Sequence, residues 1–389
     1  YNFNIQSATN LNVGINDAAK FQISYLGPAS GSATSTGSFG KVLSAGGVFE
    51  GAGGSSLTID SSNIALGYQA LTSSTSATNN VAIGKQAGYS TDSNGSNVFI
   101  GALAGYEADS ATTSAINNVY IGEAAGRYLD DGVNNVAIGY GAMTSNSDGA
   151  ANAVNSAIAI GRNAMAGSVS NQGTIVIGYY AGDDASSDVD NAVIIGREAA
   201  RGAMTSAADG TIAIGYQALT LATSGAGNTA IGYQAGHELT SGHSNTFVGY
   251  EAGGDFDGGE SNMTAIGRNA MGSQDNESSS NCVAIGVNAL ESGTGAITNN
   301  IAIGKDSMAS TSTRNVNASI AIGLNAMDST FGGAVNDVIA IGRDSMHHAS
   351  NQLNAVTGDI GIGYATLQSL TSGDLSLIHI SEPTRLIGI

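Results

Sequence analysis

Several residue types that shape ordinary globular proteins are scarce in this sequence. Cys282 is the only cysteine, so the chain has no disulfide framework and no cysteine-based zinc site. Proline occurs only at Pro28 and Pro383, so the high content of glycine, 56 of 389 residues, does not indicate a collagen-like chain. No apolar run approaches the roughly 20 residues that a membrane helix needs. We therefore expect no membrane insertion.

Charge is also scarce, and it is mostly of one sign. Charged residues make up 11% of the chain, against roughly 25% in a typical soluble domain. The 31 acidic residues outnumber the 12 basic ones and give a formal net charge of −19. Such a chain repels nucleic-acid phosphates and attracts cations. The composition therefore argues against a nucleic-acid partner.

One short pattern, typified by NNVAIGKQAG at residues 79–88, recurs along most of the chain. Successive copies are 17 to 22 residues apart, with a period of about 18, and the length varies only between copies. A fixed period of this kind predicts a stack in which each copy forms one structural turn. The copies are centred on Gly67, Gly84, Gly101, Gly122, Gly139, Gly161, Gly178, Gly196, Gly215, Gly232, Gly249, Gly267, Gly286, Gly304, Gly323, Gly342 and Gly363.

Positions around the central glycine predict which side chains face the interior. Every copy has a β-branched residue three positions before this glycine, and fifteen copies have isoleucine one position before it. Residues two apart in a strand share a face, so we predict that these two rows form the core, together with a thinner row of alanines three positions after the glycine. The row between them is never charged, and we expect it to face outward and to be covered by another chain or another wall of the same chain. It includes Ala65, Ala82, Phe99, Tyr120, Val176, Ile194, Phe247 and Gly361.

These patterns predict an all-β fold, a tandem-repeat parallel β-solenoid (β-roll) of about 17 turns of about 18 residues over residues 62–374. Residues 1–27 alternate polar and apolar side chains and are predicted to form an N-terminal β cap or docking strands. Residues 28–61 are rich in glycine and serine and are expected to form a connection. The chain begins at Tyr1 without a leader, so we expect it to be processed or truncated.

The end of the chain departs from the repeat. The segment LSLIHISEPTRL fits no position of the pattern and resembles the translation of a sequencing-library adapter. Residues 375–389 are therefore either non-native sequence or a C-terminal strand. No function is assigned to His379 or Arg385.

The copies NIALGYQAL, NTAIGYQAG and NTFVGYEAG resemble the head repeats of trimeric autotransporter adhesins and the related repetitive shafts of phage tail fibres. The resemblance covers residues 62–367. It implies a parallel, usually left-handed β-roll, often with three chains packed side by side and displayed outside the cell for attachment. A host surface or glycan is the ligand that this resemblance implies.

Acidic residues cluster in the segments between copies. Stacked at roughly 4.8 Å per turn, these segments would repel one another unless water, salt or a cation lay between them. Calcium accepts carboxylates, amide oxygens and backbone carbonyls in flexible loops, so we predict bound Ca²⁺; solvated acidic loops are the alternative. The predicted metal ligands are Asp92, Asp109, Asp130, Asp131, Asp183, Asp184, Asp188, Asp190, Asp255, Asp257, Glu260 and Asp275.

Two further rows carry polar or aromatic side chains. Eight copies have asparagine four positions before the central glycine, which predicts a ladder that satisfies backbone groups in preference to cation ligation. Seven copies have tyrosine one position after it, as in Tyr216, Tyr233 and Tyr250, which favours a ladder that shields the corner over a sugar-binding surface. Cys282 stands in the asparagine row and is interpreted as a turn residue.

No motif for catalysis occurs, since the five histidines lie outside the repeated positions and no phosphate loop or dinucleotide fingerprint is present. We predict that the chain is not an enzyme. The preferred hypothesis is a structural extracellular fibre protein, a self-assembling β rod stabilised by calcium, found in a cell-surface appendage, matrix fibril or virion fibre. Its expected partners are copies of itself, joined end to end or as a parallel trimer. The alternative is a trimeric adhesin head or tail-fibre shaft that binds a host surface or glycan.

Overall fold

A computed structural model shows how the repeats stack. The chain divides into two compact units, residues 1–44 and 45–389, and all of the described structure belongs to the second. The structure describes residues 47–50, 56–59, 62–72, 77–90, 95–107, 115–129, 131–145, 154–167, 170–183, 189–274, 279–293, 295–310, 315–328, 333–347, 356–368 and 373–374.

Short β-strands account for almost all regular structure in these ranges, with one 3₁₀ turn at Ser206–Ala208. The strands are β1 (Gly47–Glu50), β2 (Ser56–Ile59), β3 (Ile64–Gly67), β4 (Val81–Ile83), β5 (Val98–Ile100), β6 (Val119–Ile121), β7 (Val136–Ile138), β8 (Ile158–Ile160), β9 (Ile175–Ile177), β10 (Val193–Ile195), β11 (Ile212–Ile214), β12 (Thr229–Ile231), β13 (Thr246–Val248), β14 (Thr264–Ile266), β15 (Ser273–Gln274), β16 (Val283–Ile285), β17 (Ser292–Gly293), β18 (Ile297–Thr298), β19 (Ile301–Ile303), β20 (Val316–Asn317), β21 (Ile320–Ile322), β22 (Val335–Asn336), β23 (Ile339–Ile341), β24 (Val356–Thr357), β25 (Ile360–Ile362) and β26 (Gly373–Asp374).

The main sheet contains nineteen strands. β1 and β2 are antiparallel to their neighbours, and the other seventeen, one from each repeat, are parallel and in register. For example, Ile212 of β11 pairs with Thr229 of β12, which pairs with Thr246 of β13. β18, β20, β22, β24 and β26 form a smaller parallel sheet, and β15 pairs with β17. The predicted all-β parallel β-solenoid is confirmed.

Each turn bends at the central glycine. The φ angles of these glycines lie between 127° and 147°, a region that disfavours L side chains. Space is also lacking, since a Cβ on Gly232 would lie 2.1 Å from the carbonyl oxygen of Gly249 in the next turn. The recurrence of glycine therefore follows from both the backbone conformation and the close stacking of successive corners.

The prediction of which strand face is buried was wrong. The middle row of each strand faces the interior, and Ala82, Phe99, Tyr120 and Phe247 are fully buried. The two β-branched rows that we predicted as the core face outward and are half-buried or exposed, as in Ile231. The interior is narrow because the corner alanines fold back against the strands, so it accepts mainly small side chains.

Bulky interior residues are accommodated by glycine on the opposite wall. A Cβ on Gly105 would lie 2.5 Å from the Phe99 ring, and a Cβ on Gly126 would lie 2.4 Å from the Tyr120 ring. Most turns with alanine in the strand carry a larger residue at this corner position, for example Met165, which is buried. Where both positions are small, as in Ala230 and Gly236, a ring from the next turn fills the space, here that of Phe247.

The asparagine row forms the predicted ladder. The Oδ1 atom of Asn80 accepts a hydrogen bond from the N–H of Asn97 at 2.9 Å, and the Nδ2 atom of Asn97 donates to the carbonyl oxygen of Ala115 at 2.9 Å. The eight asparagines are all buried: Asn63, Asn80, Asn97, Asn118, Asn135, Asn228, Asn245 and Asn300. Their amides satisfy backbone groups that would otherwise be buried without partners.

The flanking segments are only partly described. β1 and β2 lie within residues 28–61, which we expected to form a connection, and they add an antiparallel hairpin to the first turn. The predicted N-terminal cap at residues 1–27 and the C-terminal segment 375–389 lie outside the described residues.

Candidate functional site

The outward face of the main sheet is a continuous surface that runs along all seventeen repeats. One row consists of the β-branched residues three positions before the central glycines, and the other is almost entirely isoleucine. Ile83, Ile138 and Ile231 expose 36% to 38% of their surface, and Leu66 exposes 47%. We call these two rows the outward sheet face.

The outward sheet face is apolar along its whole length. Neither row holds a charged residue, and Thr229, Thr246 and Thr264 are its polar members. Seventeen strands at about 4.8 Å and two side-chain rows give a face about 80 Å long and about 10 Å wide, or about 800 Å². The largest apolar patch on a typical monomer is about 300–600 Å², so this face is larger than the usual range.

A column of aromatic and cationic side chains runs beside this face, one position after the central glycines. The rings of Tyr216 and Tyr233 stack with centroids 5.1 Å apart, and those of Tyr233 and Tyr250 with centroids 5.0 Å apart. The Arg197 guanidinium lies 5.7 Å from the rings of both Tyr179 and Tyr216. Because the ring faces pack on their neighbours, the column presents ring edges to solvent, as expected for a ladder that shields the corner.

A second column of hydrogen-bonded side chains follows the next position along the chain. The Nε2 atom of Gln234 donates to Oε1 of Gln217, and Nε2 of Gln217 donates to Oε2 of Glu198, both at 2.9 Å. The bond from Gln217, aided by the Arg197 guanidinium 3.1 Å away, holds the pKa of Glu198 below its usual range. Since Glu198 pairs with Arg197, this corner carries little net charge.

Half of the predicted calcium ligands can be placed. Asp92, Asp109, Asp130, Asp184, Asp188 and Asp275 lie outside the described residues. Asp131, Asp183, Asp190, Asp255, Asp257 and Glu260 are described and lie in segments between copies. Within the described part of the chain, no three His, Cys, Asp or Glu side chains come together to hold a metal ion.

The described acids have separate surroundings. Burial raises the pKa of Asp131. The Oδ1 atom of Asp190 accepts a hydrogen bond from the N–H of Gln172 at 2.7 Å. Glu260 is fully buried, and its Oε2 atom accepts the N–H of Gly258 at 3.1 Å. Glu260 therefore bonds within its own loop, whereas Asp190 bonds the preceding turn.

Asp255 lines a cleft of about 300 Å³ across three successive turns. Glu238 and Glu251 line the same cleft, and His237 lies beside it with its Nε2 atom 3.4 Å from Oε1 of Glu238. Three carboxylates give this cleft a negative potential. Sequence reasoning selected Asp255 and missed the other two. Glu251 belongs to the repeated corner, two positions after Gly249, whereas Glu238 stands six positions after Gly232, the position that Asp255 holds after Gly249.

Cys282 occupies the asparagine row, as interpreted from its position. Its Sγ atom accepts the N–H of Asn300 at 3.4 Å. Burial raises the pKa of the Cys282 thiol to about 11. The side chain therefore acts as a neutral member of the ladder.

Comparison of the chain with family models, curated proteins and solved structures finds no match. The fold agrees with the β-roll that the resemblance implies. Among the described residues, no helix has the length and apolar character needed to cross a membrane.

Proposed function

We propose that the chain is a structural fibre protein whose copies pack side by side through the outward sheet face. The main support is the composition of this face. The solvent side of seventeen in-register strands consists of isoleucine, valine and threonine, with one leucine, and holds no charged residue. An antiparallel sheet with one solvated face normally places polar residues there, and a parallel sheet is normally covered on both faces. An apolar outer row over such a length is best explained by burial against another copy.

The area supports a specific association. Burial of about 800 Å² on each of two copies removes about 1,600 Å² from water, which is the size of a standard protein–protein interface. The absence of charged side chains from both rows also avoids the desolvation of unpaired charges on packing. Two or three parallel chains packed side by side would each bury the outward sheet face. Three is the number that the resemblance to adhesin heads and tail-fibre shafts implies.

The proposal includes the location and the ion expected from the sequence. The fibre would lie outside the cell, in an appendage, a matrix fibril or a virion fibre, where repeated β structure serves mechanical roles. Calcium in the acidic segments between copies would reduce repulsion between successive turns. Absence of enzymatic activity stays a prediction.

A second candidate function is recognition of a host surface or glycan. The observation in its favour is the pair of neighbouring side-chain columns beside the outward sheet face. The tyrosines and Arg197 of the first column and the amides of Gln217 and Gln234 in the second give a regular polar surface. The stacked ring faces do not favour sugar stacking, so such recognition would depend on hydrogen bonds. Binding of the intact particle to a glycan array tests it, and substitution of Tyr233 by Ala should abolish any signal.

Mass per unit length of the assembled particle, measured by scanning transmission electron microscopy, tests the fibre proposal. A single chain of 38.6 kDa spread over about 80 Å gives about 0.5 kDa per Å, and two or three packed chains give two or three times that value. The double variant Ile231→Lys/Ile266→Lys places charges on the face and should reduce the value to that of one chain. Leu221→Lys, at a residue that is 50% exposed in a loop, is the matched control. An unchanged value in the double variant contradicts the proposal.

A further inference from the structure

The direction of β1 bears on how copies meet at their ends. β2 runs antiparallel to β3, and β1 runs antiparallel to β2. β1 therefore runs in the same direction as β3 and as every later strand of the main sheet. Because the hairpin adds two strands, the first edge of the sheet has the polarity that a further solenoid turn would have.

The register of β1 also matches that of the repeat. Through β2, Gly47 aligns with Ile64, and Phe49 aligns with Leu66. Leu66 belongs to the row that ends with Ile362 in β25. The strand at the first edge is thus parallel to β25 and in phase with it.

The last turn points hydrogen-bonding groups away from the stack. Gly363 donates its N–H to the carbonyl oxygen of Ile341 in the preceding turn. Successive N–H groups of a strand point to opposite edges, so the N–H of Ile362 points to the other edge of β25. Among the strands that the structure describes, β25 pairs on one side only, with β23, and an edge of this kind is a template for another strand.

The buried ladder points the same way. In its asparagine rungs the side-chain oxygen accepts the N–H of the residue one turn further along the chain, as Asn245 accepts that of Met263 at 2.9 Å. Asp359 holds this position in the last turn and is fully buried. The ladder thus has the same direction as the stack, from the first turn toward β25.

We propose that copies of the chain join head to tail, with β25 of one copy pairing in parallel with β1 of the next. The joint rests on the proposed fibre function but does not depend on side-by-side packing. It uses a different surface on each partner, so it is heterologous and generates an open filament, not a closed dimer. The hairpin then acts as an adaptor that keeps the strand direction constant from one copy to the next.

Directed disulfide formation tests the joint. In a Cys282→Ser background, the double variant Phe49→Cys/Ile362→Cys places two thiols in one register position. Adjacent paired strands bring Cα atoms to about 4.8 Å, within the 4.4–6.8 Å range of disulfides. Mild oxidation should give a ladder of covalent multimers on a non-reducing gel. Each single variant should stay monomeric on the gel, because the joint then brings a thiol only against an unsubstituted residue.

Filament length provides a second measurement that does not require new disulfides. Ile362→Pro removes the outward N–H of β25 and should shorten filaments at least fivefold in electron micrographs. Ile362→Val keeps that N–H and should leave their length unchanged.

Three results would overturn the joint. They are a double variant that stays monomeric, a strong dimer from Ile362→Cys alone, which indicates tail-to-tail contact, and equal filament lengths for the proline and valine variants. A chain that covers its own β25 edge also gives the first result. If the joint is lost and the mass per unit length is unchanged, the head-to-tail proposal fails and the proposed side-by-side packing stands. If covalent multimers form and the mass per unit length is that of one chain, the side-by-side packing fails and the joint stands.

Discussion

Replacement of Phe247 by Ala tests how the interior of a turn is filled. Phe247 is fully buried, and its ring centroid lies 5.6 Å from that of Phe256. A Cβ on Gly253 would lie 2.6 Å from the Phe247 ring. In the next turn, Ala265 takes the place of the phenylalanine and Met271 takes the place of the glycine. The two turns thus fill equivalent space in two different ways.

The expected energies follow from this exchange. Phe247→Ala leaves a cavity and should lower the free energy of unfolding by about 3–5 kcal/mol. Gly253→Met alone forces a long side chain against the ring and should lower it by about 1–3 kcal/mol. The double variant recreates the combination of Ala265 and Met271, whose backbone at φ 52° resembles that of Gly253 at φ 61°. Its loss should therefore be under about 1.5 kcal/mol, as for volume-conserving exchanges.

A double-mutant cycle measured by urea unfolding, followed by far-UV circular dichroism, provides the assay. Independent effects would sum to a loss of about 4–8 kcal/mol, so the cycle should show a favourable coupling of at least about 2 kcal/mol. Phe247→Ala combined with Gly105→Met is the control, because Gly105 contacts Phe99 in a distant turn and the losses should add within about 0.5 kcal/mol. Additive losses in the Gly253 pair would refute the exchange of volume between strand and corner.

Three further predictions concern the corner, the cysteine and calcium. Gly232→Ala should lower the free energy of unfolding by more than about 3 kcal/mol, because its Cβ would lie 2.1 Å from the carbonyl oxygen of Gly249. Gly210→Ala, at φ 69° with nothing within 4 Å, should lower it by about 1 kcal/mol. Equal melting temperatures for the two variants would contradict this prediction. Burial raises the pKa of Cys282 to about 11 and so favours the neutral thiol in the folded state. The free energy of unfolding should therefore fall as the pH rises from about 9 toward 11. The urea midpoint of Cys282→Ala should fall less over this range, and an equal fall would contradict the prediction. Chelation of divalent ions should lower the melting temperature by several degrees, and no shift would defeat the calcium prediction.

Much of the fold could be predicted because the sequence contains its own comparison set. Seventeen copies of one pattern show that glycine recurs at the corner and that β-branched residues recur on the strand. These two facts predict a stack of short parallel strands. The variable segments also reach the core, since Val316, Val335 and Val356 in β20, β22 and β24 are fully buried. The structure confirms this solenoid and the ladder formed by Asn80 and its counterparts.

The acidic segments could not be resolved in the same way. Their lengths and sequences differ from copy to copy, so the position of one carboxylate says little about its neighbours in space. Asp255 shares a cleft with Glu238 and Glu251, whereas Glu260 is buried against its own loop. Sequence spacing alone does not separate these two surroundings.

The error about the buried face has a physical cause that the sequence contained. Alternation shows which residues share a face, but it does not show which face is inside, and here both faces are apolar. The informative signal was size: each aromatic residue in the middle row is followed by glycine at the corner, as Tyr120 is by Gly126 and Phe247 is by Gly253. Side chains that exchange volume must touch, so the middle row had to be the interior. The isoleucine rows then had to face outward, and the apolar surface that needs a partner is theirs.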